Sequence, residues 1–227
     1  QREQRVDVRA VALSRLVLDS LSPLGEEYVS VLAKGLLSER WTDRYENKGK
    51  RSGAYSAGCY DSVPYLLMNY HEESLHDVFT LAHEAGHSMH SHYSKTHQDY
   101  PDSGYTIFVA EVASTLNENL LFHYMLDRTT ERNARLALLG SRLEDLRGTM
   151  FRQAMFAEFE LKIHQMVENG EQLTGDNLSK VYLELVRRYY GHDQGVCKVD
   201  ELYGVEWSYI PHFFYNFYVY QYATSII

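Results

Sequence analysis

His83-Glu84-Ala85-Gly86-His87 is an HExxH pentapeptide, a spacing that offers two imidazoles to one metal ion and a carboxylate beside it. Four residues advance an α-helix by about 400°, so the two histidines stand about 40° apart, one turn above the other. Glu84 then points beside the metal, where it can take a proton from the attacking water and later deliver it to the leaving amine. A catalytic zinc also needs a third protein ligand and an open position. The extended pattern HExxHxxGxxH would require glycine at position 90 and histidine at position 93, but this chain has His90 and Tyr93. The alternative is a carboxylate from a second helix. The run from Phe108 to Glu118 supplies Glu111 among Val109, Ala110, Val112 and Ala113, with Glu118 seven residues on. A carboxylate in so apolar a setting needs a cation or donors, and Glu118, close to the same face, could orient a ligating histidine. The plain alternatives are surface or salt-bridged glutamates and a chance HExxH on an amphipathic helix, which 11 histidines make easier.

The pentapeptide closes an apolar-periodic run, Leu75 to Ala82, which predicts a helix over Leu75–Ser94. Further helical patterns fall at Val6–Leu21, Glu26–Trp41, Ile107–Leu126, Glu131–Asn169, Gly175–Tyr190 and Ser208–Ile227. Segments 52–60 and 64–70 fit two short strands or a hairpin, whereas Thr42–Arg51 is polar and charged. The expected fold class is mainly α with a small β-hairpin preceding the HExxH helix. Pro and Gly are too scattered to mark a linker, so residues 1–227 are read as a single domain. Tyr215, Tyr218 and Tyr222, spaced i, i+3 and i+7, would share one helical face, with aromatic core packing as the plain alternative.

Lys and Arg number 22 against 31 Asp and Glu, and the net charge of −9 repels phosphate and anionic lipid, so neither nucleic acid nor membrane is an expected partner. The aromatic stretch from Phe213 is interrupted by Asn216, Gln221, Thr224 and Ser225, short of the ~20 apolar residues of a membrane span. Cys59 and Cys197 have no base partner by motif and read as buried thiols in a reducing compartment. The charged start, without Met or a signal-type apolar core, reads as a fragment or a processed chain of cytoplasmic location. No GxSxG element supports a serine hydrolase. His90 continues the face of His87 and reads as a packing or orienting residue, while His92 and His97 only add to the histidine density.

Together these residues resemble the thimet oligopeptidase and oligoendopeptidase F group of zinc metallopeptidases, in which HExGH is followed some two dozen residues later by a glutamate in a segment like FVAE. Here those are His83–His87 and Phe108–Glu111, with 111 − 87 = 24 residues from the second histidine to the glutamate. Similar flanks at Ser52–Ser56, His90, Ala113–Glu118 and Ile210–Thr224 extend the likeness over nearly the whole chain. The resemblance implies a helical, zincin-type catalytic domain in which His83, His87 and Glu111 bind one zinc ion and Glu84 is the general base. It also implies that the aromatic terminal segment closes over the substrate. His212, Tyr215 and either Tyr218 or Tyr222 would then hydrogen-bond the tetrahedral intermediate. Family chains are much longer, so the resemblance further implies that an amino-terminal lobe and a C-terminal tail are missing here. A fragment with such uncovered surface is expected to self-associate through apolar patches.

The expected function is hydrolysis of internal bonds of short peptides by a zinc metalloendopeptidase. The competing readings are a zinc carboxypeptidase and a non-catalytic helical module stapled by zinc. The module is the weaker of the two, because structural zinc sites are usually closed by four protein ligands.

Overall fold

The computed structural model describes residues 8–71 and 74–226. The first two residues of the helix expected over Val6–Leu21, and Ile227, the last of the helix expected over Ser208–Ile227, lie outside them. Helices α1 (Val8–Ser20) and α2 (Glu26–Leu37) are separated by a short turn, Ser22–Leu24, in which Pro23 breaks the helical pattern. A three-stranded sheet follows in the order β1 (Thr42–Asp43), β3 (Tyr65–Leu67), β2 (Tyr55–Ala57). β2 and β3 form the expected antiparallel hairpin, with Ser56 opposite Leu66. β1 is an addition, paired in parallel with Thr42 opposite Leu66. Two polar residues carry no alternation, so no strand signal existed for it.

Helix α3 (Leu75–His97) begins at Ser74, whose hydroxyl accepts from the Asp77 amide at 3.3 Å, and ends with Lys95 and His97 complementing the helix dipole. Asp77 itself accepts from the His71 amide at 2.7 Å, which ties the incoming loop to the first turn. The helix expected over Ile107–Leu126 is two, α4 (Ile107–Ala110) and α5 (Val112–Arg128), broken at Glu111. α1, α2, α3, α5 and the sheet enclose a core that includes Val17, Leu21, Leu32, Trp41, Leu66, Met89 and Leu121.

Helix α6 (Arg132–Leu146) runs through a π turn at Arg147–Phe151 into α7 (Arg152–Glu168). α8 (Gly175–Tyr189) starts at Thr174, which accepts from the Asn177 amide at 3.2 Å. Phe156, Phe159, Tyr182, Leu185, Ile210 and Val219 belong to a second core. The described residues accordingly form two compact units, one up to Leu138 and one from Leu139.

The terminal segment departs from the single helix expected over Ser208–Ile227. It consists of 3-10 turns at Glu201–Tyr209 and Pro211–Phe214, followed by α9 (Tyr220–Ile226). Pro211 cannot continue a preceding helix, and Phe217 takes a left-handed φ of 59° while its amide donates to buried Glu160 at 2.6 Å. Tyr215, Tyr218 and Tyr222 therefore do not share one helical face. Cys59 and Cys197 are exposed rather than buried, because each sits in a loop at the surface. Among the described residues, no helix is long and apolar enough to cross a membrane.

Candidate metal centre

Helices α3 and α5 approach so closely that a Cβ at Gly86 would stand 2.6 Å from Ser114 Cα and 2.7 Å from the Ala113 carbonyl oxygen. Glycine inside the pentapeptide is what lets the backbones meet. The contact places Glu111, at the junction of α4 and α5, against the histidine face of α3. His83 Nε2 lies 3.1 Å from His87 Nε2 and 3.2 Å from Glu111 Oε2, and His87 Nε2 lies 3.3 Å from the same oxygen. These three atoms form a nearly equilateral triangle. Ligand atoms ~2.0–2.1 Å from a tetrahedral zinc stand about 3.3 Å apart, so the triangle has the size of one face of that tetrahedron, with a fourth corner left for another ligand. Among the described residues this is the one such cluster of metal-ligating side chains.

The ligand candidates are themselves held. Glu118 Oε1 is 2.7 Å from His83 Nδ1, a contact that directs the other ring nitrogen into the triangle. Ser114 Oγ lies 2.8 Å from Glu111 Oε2 and 2.9 Å from the Glu111 carbonyl oxygen. Asn117 donates to the Ala82 carbonyl at 3.1 Å and pairs with the Tyr28 hydroxyl, joining α5 to the turn just before His83 and to α2. Burial draws the His83 pKa down, but hydrogen bonds to Glu111 and Glu118 outweigh it and raise it to about 10. For Glu111 burial acts upward, yet the two histidines hold its carboxyl well below the usual range.

Glu84, one residue past His83, is buried, and its Oε2 has no hydrogen-bond partner among the described residues. Burial pushes its pKa up, against the histidines and the Ser56 amide that favour the carboxylate. Ser56 and Ser88 hydroxyls, 2.8 Å apart, fix β2 on α3 at this point. A cavity of about 680 Å³ lies between the loop before β2, the segment after β3 and the first turns of α3, lined among others by Lys50, Ala54, Asn69, Asp77 and Thr80, and none of His83, Glu84, His87 and Glu111 lines it. Thr80 is one turn before Glu84 on the helix. A buried carboxylate oxygen with nothing to accept from, beside three convergent ligand atoms, is an arrangement suited to hydrolytic chemistry.

Residues 6–226 match the sequence pattern of Peptidase family M3. The chain belongs to this family. It is 54% identical to Oligopeptidase PepF of Bacillus subtilis over 209 residues, 92% of this chain and 30% of that protein. To the Oligoendopeptidase F homolog of Borreliella burgdorferi it is 49% identical, over 92% of this chain and 35% of that protein. Among solved structures, oligoendopeptidase-F from Enterococcus faecium superposes with a TM-score of 0.62 at 33% identity, covering 95% of this chain and 30% of the other. The chain thus spans about a third of the length of the relatives it matches.

Other residues singled out in this M3 chain fall into two groups. His90 stacks on Tyr105 with ring centroids 3.8 Å apart, and so packs rather than ligates. His92 faces Trp41 and His97 lies against the Tyr93 carbonyl, neither within the triangle. In the second unit, His212 Nε2 is 3.3 Å from the Tyr222 hydroxyl, Tyr218 lies against both rings, and Tyr215 lies against Tyr218. The four come together through the turns, without the helical face expected of them. Burial lowers the His212 pKa. Ser114 and Asn117 escaped the sequence reading, although a serine three residues after Glu111 in a helix is within reach of its carboxylate.

Proposed function

We propose that this chain is a catalytic portion of a zinc metalloendopeptidase that cuts internal bonds of short peptides. The observation that carries this reading is the triangle of His83 Nε2, His87 Nε2 and Glu111 Oε2, beside the unpartnered carboxylate oxygen of Glu84. Membership of a peptidase family and the names of its relatives support it. When bound, zinc would polarise the scissile carbonyl and acidify the attacking water. His83 and His87 would hold it as neutral imidazoles, with Glu118 accepting a hydrogen bond from His83 Nδ1–H so that Nε2 faces inward. Glu111, steadied by Ser114, supplies the anionic ligand. Glu84 takes the proton from water at Oε2 and passes it to the leaving amine, a return that its raised pKa favours.

His212, with Tyr215, Tyr218 or Tyr222, is assigned to hydrogen-bonding of the oxyanion, and residues 1–227 to a single catalytic domain; both assignments rest on the resemblance. A cytoplasmic setting and self-association of the chain belong to the same reading. Its test is hydrolysis of an internally quenched, end-blocked peptide by the parent and by Glu84→Gln at equal zinc content. Internal cleavage lost by a factor of 100 or more in the variant supports the mechanism, and equal rates reject it. Release of single C-terminal residues from an unblocked peptide would instead identify a carboxypeptidase.

A further inference from the structure

Glu84 and Ser88 stand one turn apart on the same face of α3, and both are buried. One residue of β2, Ser56, meets them both. Its amide hydrogen-bonds the Glu84 carboxylate, and its hydroxyl lies 2.8 Å from the Ser88 hydroxyl. Because Glu84 Oε2 has no partner among the described residues, the oxygen that accepts from the amide is Oε1. The two carboxylate oxygens are thereby made unequal, one tied to the strand and the other left open.

The register of the sheet explains why Ser56 can reach α3 twice. On β3 the Leu66 and Met68 amides donate to the Trp41 and Asp43 carbonyls, each at 2.8 Å. Tyr65 and Leu67 therefore turn their backbone groups to the opposite side, toward Ala57 and Tyr55 of β2. Ser56, opposite Leu66, points its own amide away from β3, and β2 lies at the edge of the sheet. That edge is where Glu84 receives it. Side chains alternate along a strand, and between exposed Tyr55 and Ala57 the half-buried Ser56 turns its hydroxyl to the helix. A slip of one residue would present an amide already committed to β3, and no hydroxyl.

Ser88 behaves differently from the other hydroxyl residues of its helix. Thr80 and Thr96 return their hydroxyls to the carbonyls four residues earlier, those of His76 and His92, at 3.0 and 2.9 Å. The Ser88 hydroxyl crosses to the strand instead. Being fully buried, it depends on that partner, since a buried hydroxyl left unpaired is costly.

We propose that Ser88 is a positioning residue for peptide hydrolysis: through the Ser56 hydroxyl it keeps the Ser56 amide on Glu84 Oε1, so that Oε2 is the oxygen presented to the attacking water. The inference rests on the reading of Glu84 as general base. Ser88 itself acts only through Ser56.

The test compares the full chain with Ser88→Ala, Ser56→Ala and the double variant. The first readout needs neither zinc nor turnover. It is the nitrogen-15-correlated resonance of the Ser56 amide in the metal-free chain, which Glu84→Gln should move upfield by replacing a charged acceptor with a neutral one. Ser88→Ala should move it upfield as well, and adding Glu84→Gln to Ser88→Ala should move it no further. The second readout is cleavage of the quenched peptide at equal zinc content. Each single variant should lower kcat ~10–100-fold with KM held within about twofold, and the double variant should be no worse than either. Cleavage that depends on Glu84 but is untouched by Ser88→Ala overturns this proposal and leaves the general-base reading standing. Parental cleavage by Glu84→Gln overturns both. A Ser56 resonance that Ser88→Ala leaves in place overturns the proposal too, and in a chain without turnover that resonance decides alone.

Discussion

His83 sits between Glu111 and Glu118, and the two carboxylates favour a second ring proton, the imidazolium form, raising its pKa to about 10 in the metal-free chain. At pH 7 an incoming zinc must displace that proton, because only the neutral imidazole ligates. Calorimetry in buffers of different ionisation heat should therefore find at least one proton released per zinc, with affinity rising as pH rises from 6 to 8. Binding without proton release would remove His83 from the ligand set. Ser114→Ala should weaken zinc binding ~10–100-fold with the fold intact, since the hydroxyl 2.8 Å from Glu111 Oε2 steadies a ligand without being one. An unchanged zinc affinity would leave Ser114 a purely structural role. At this scale the sequence was most legible where chemistry fixes spacing: i and i+4 histidines must meet, and an isolated Glu111 among apolar neighbours must find partners. Ser114 and Asn117 were illegible, because small polar residues in a helix leave no periodic trace of the contacts they make across it.

Between elements, the decisive feature is the contact of α3 with α5. Gly86→Ala would force a methyl to within 2.6 Å of the Ser114 backbone, and backbone cannot yield as a side-chain end does. The helices must part, at ~1–3 kcal/mol of stability, and Glu111 moves away from the histidines with them. Urea unfolding and zinc titration of this variant should both shift, whereas a shift in stability alone would show that Glu111 follows the histidines regardless. The terminal turns make the opposite point about legibility. Apolar and aromatic periodicity from Ser208 suggested one helix, but Pro211 interrupts it locally, and the positive φ of Phe217, whose amide the Glu160 carboxylate takes, is decided by a long-range contact with α7. Glu160→Leu should leave that amide unpaired and lower stability by ~1–3 kcal/mol, measured by urea unfolding. No change would mean that the turn stands without it.

Across the whole molecule the described residues build two cores, and every candidate ligand with its supports, Ser56, Glu118, Ser114 and Asn117, falls within the first. No Pro- or Gly-rich linker marks the division, because it lies inside α6, where composition does not change. Phe159→Ala, which empties the centre of the second core, should destabilise that unit by ~3–5 kcal/mol and leave zinc stoichiometry untouched. Loss of zinc in that variant would show that the first unit cannot keep its triangle alone. The mainly helical class and the hairpin before α3 were legible from pattern, since both follow from local periodicity. The second core was legible only in part: Phe156, Phe159, Tyr182 and Leu185 lie on helices expected from periodicity, whereas Val199, Ile210 and Val219 join it from turns that have none.

Zinc binding by His83, His87 and Glu111 underlies all of the proposed chemistry. Equilibrium dialysis of the folded chain against buffered zinc, followed by metal analysis per mole of protein, should find one ion per chain in the parent and in Glu84→Gln, and none in His83→Ala. A folded parent without zinc, or a His83→Ala chain holding as much zinc as the parent, would contradict it.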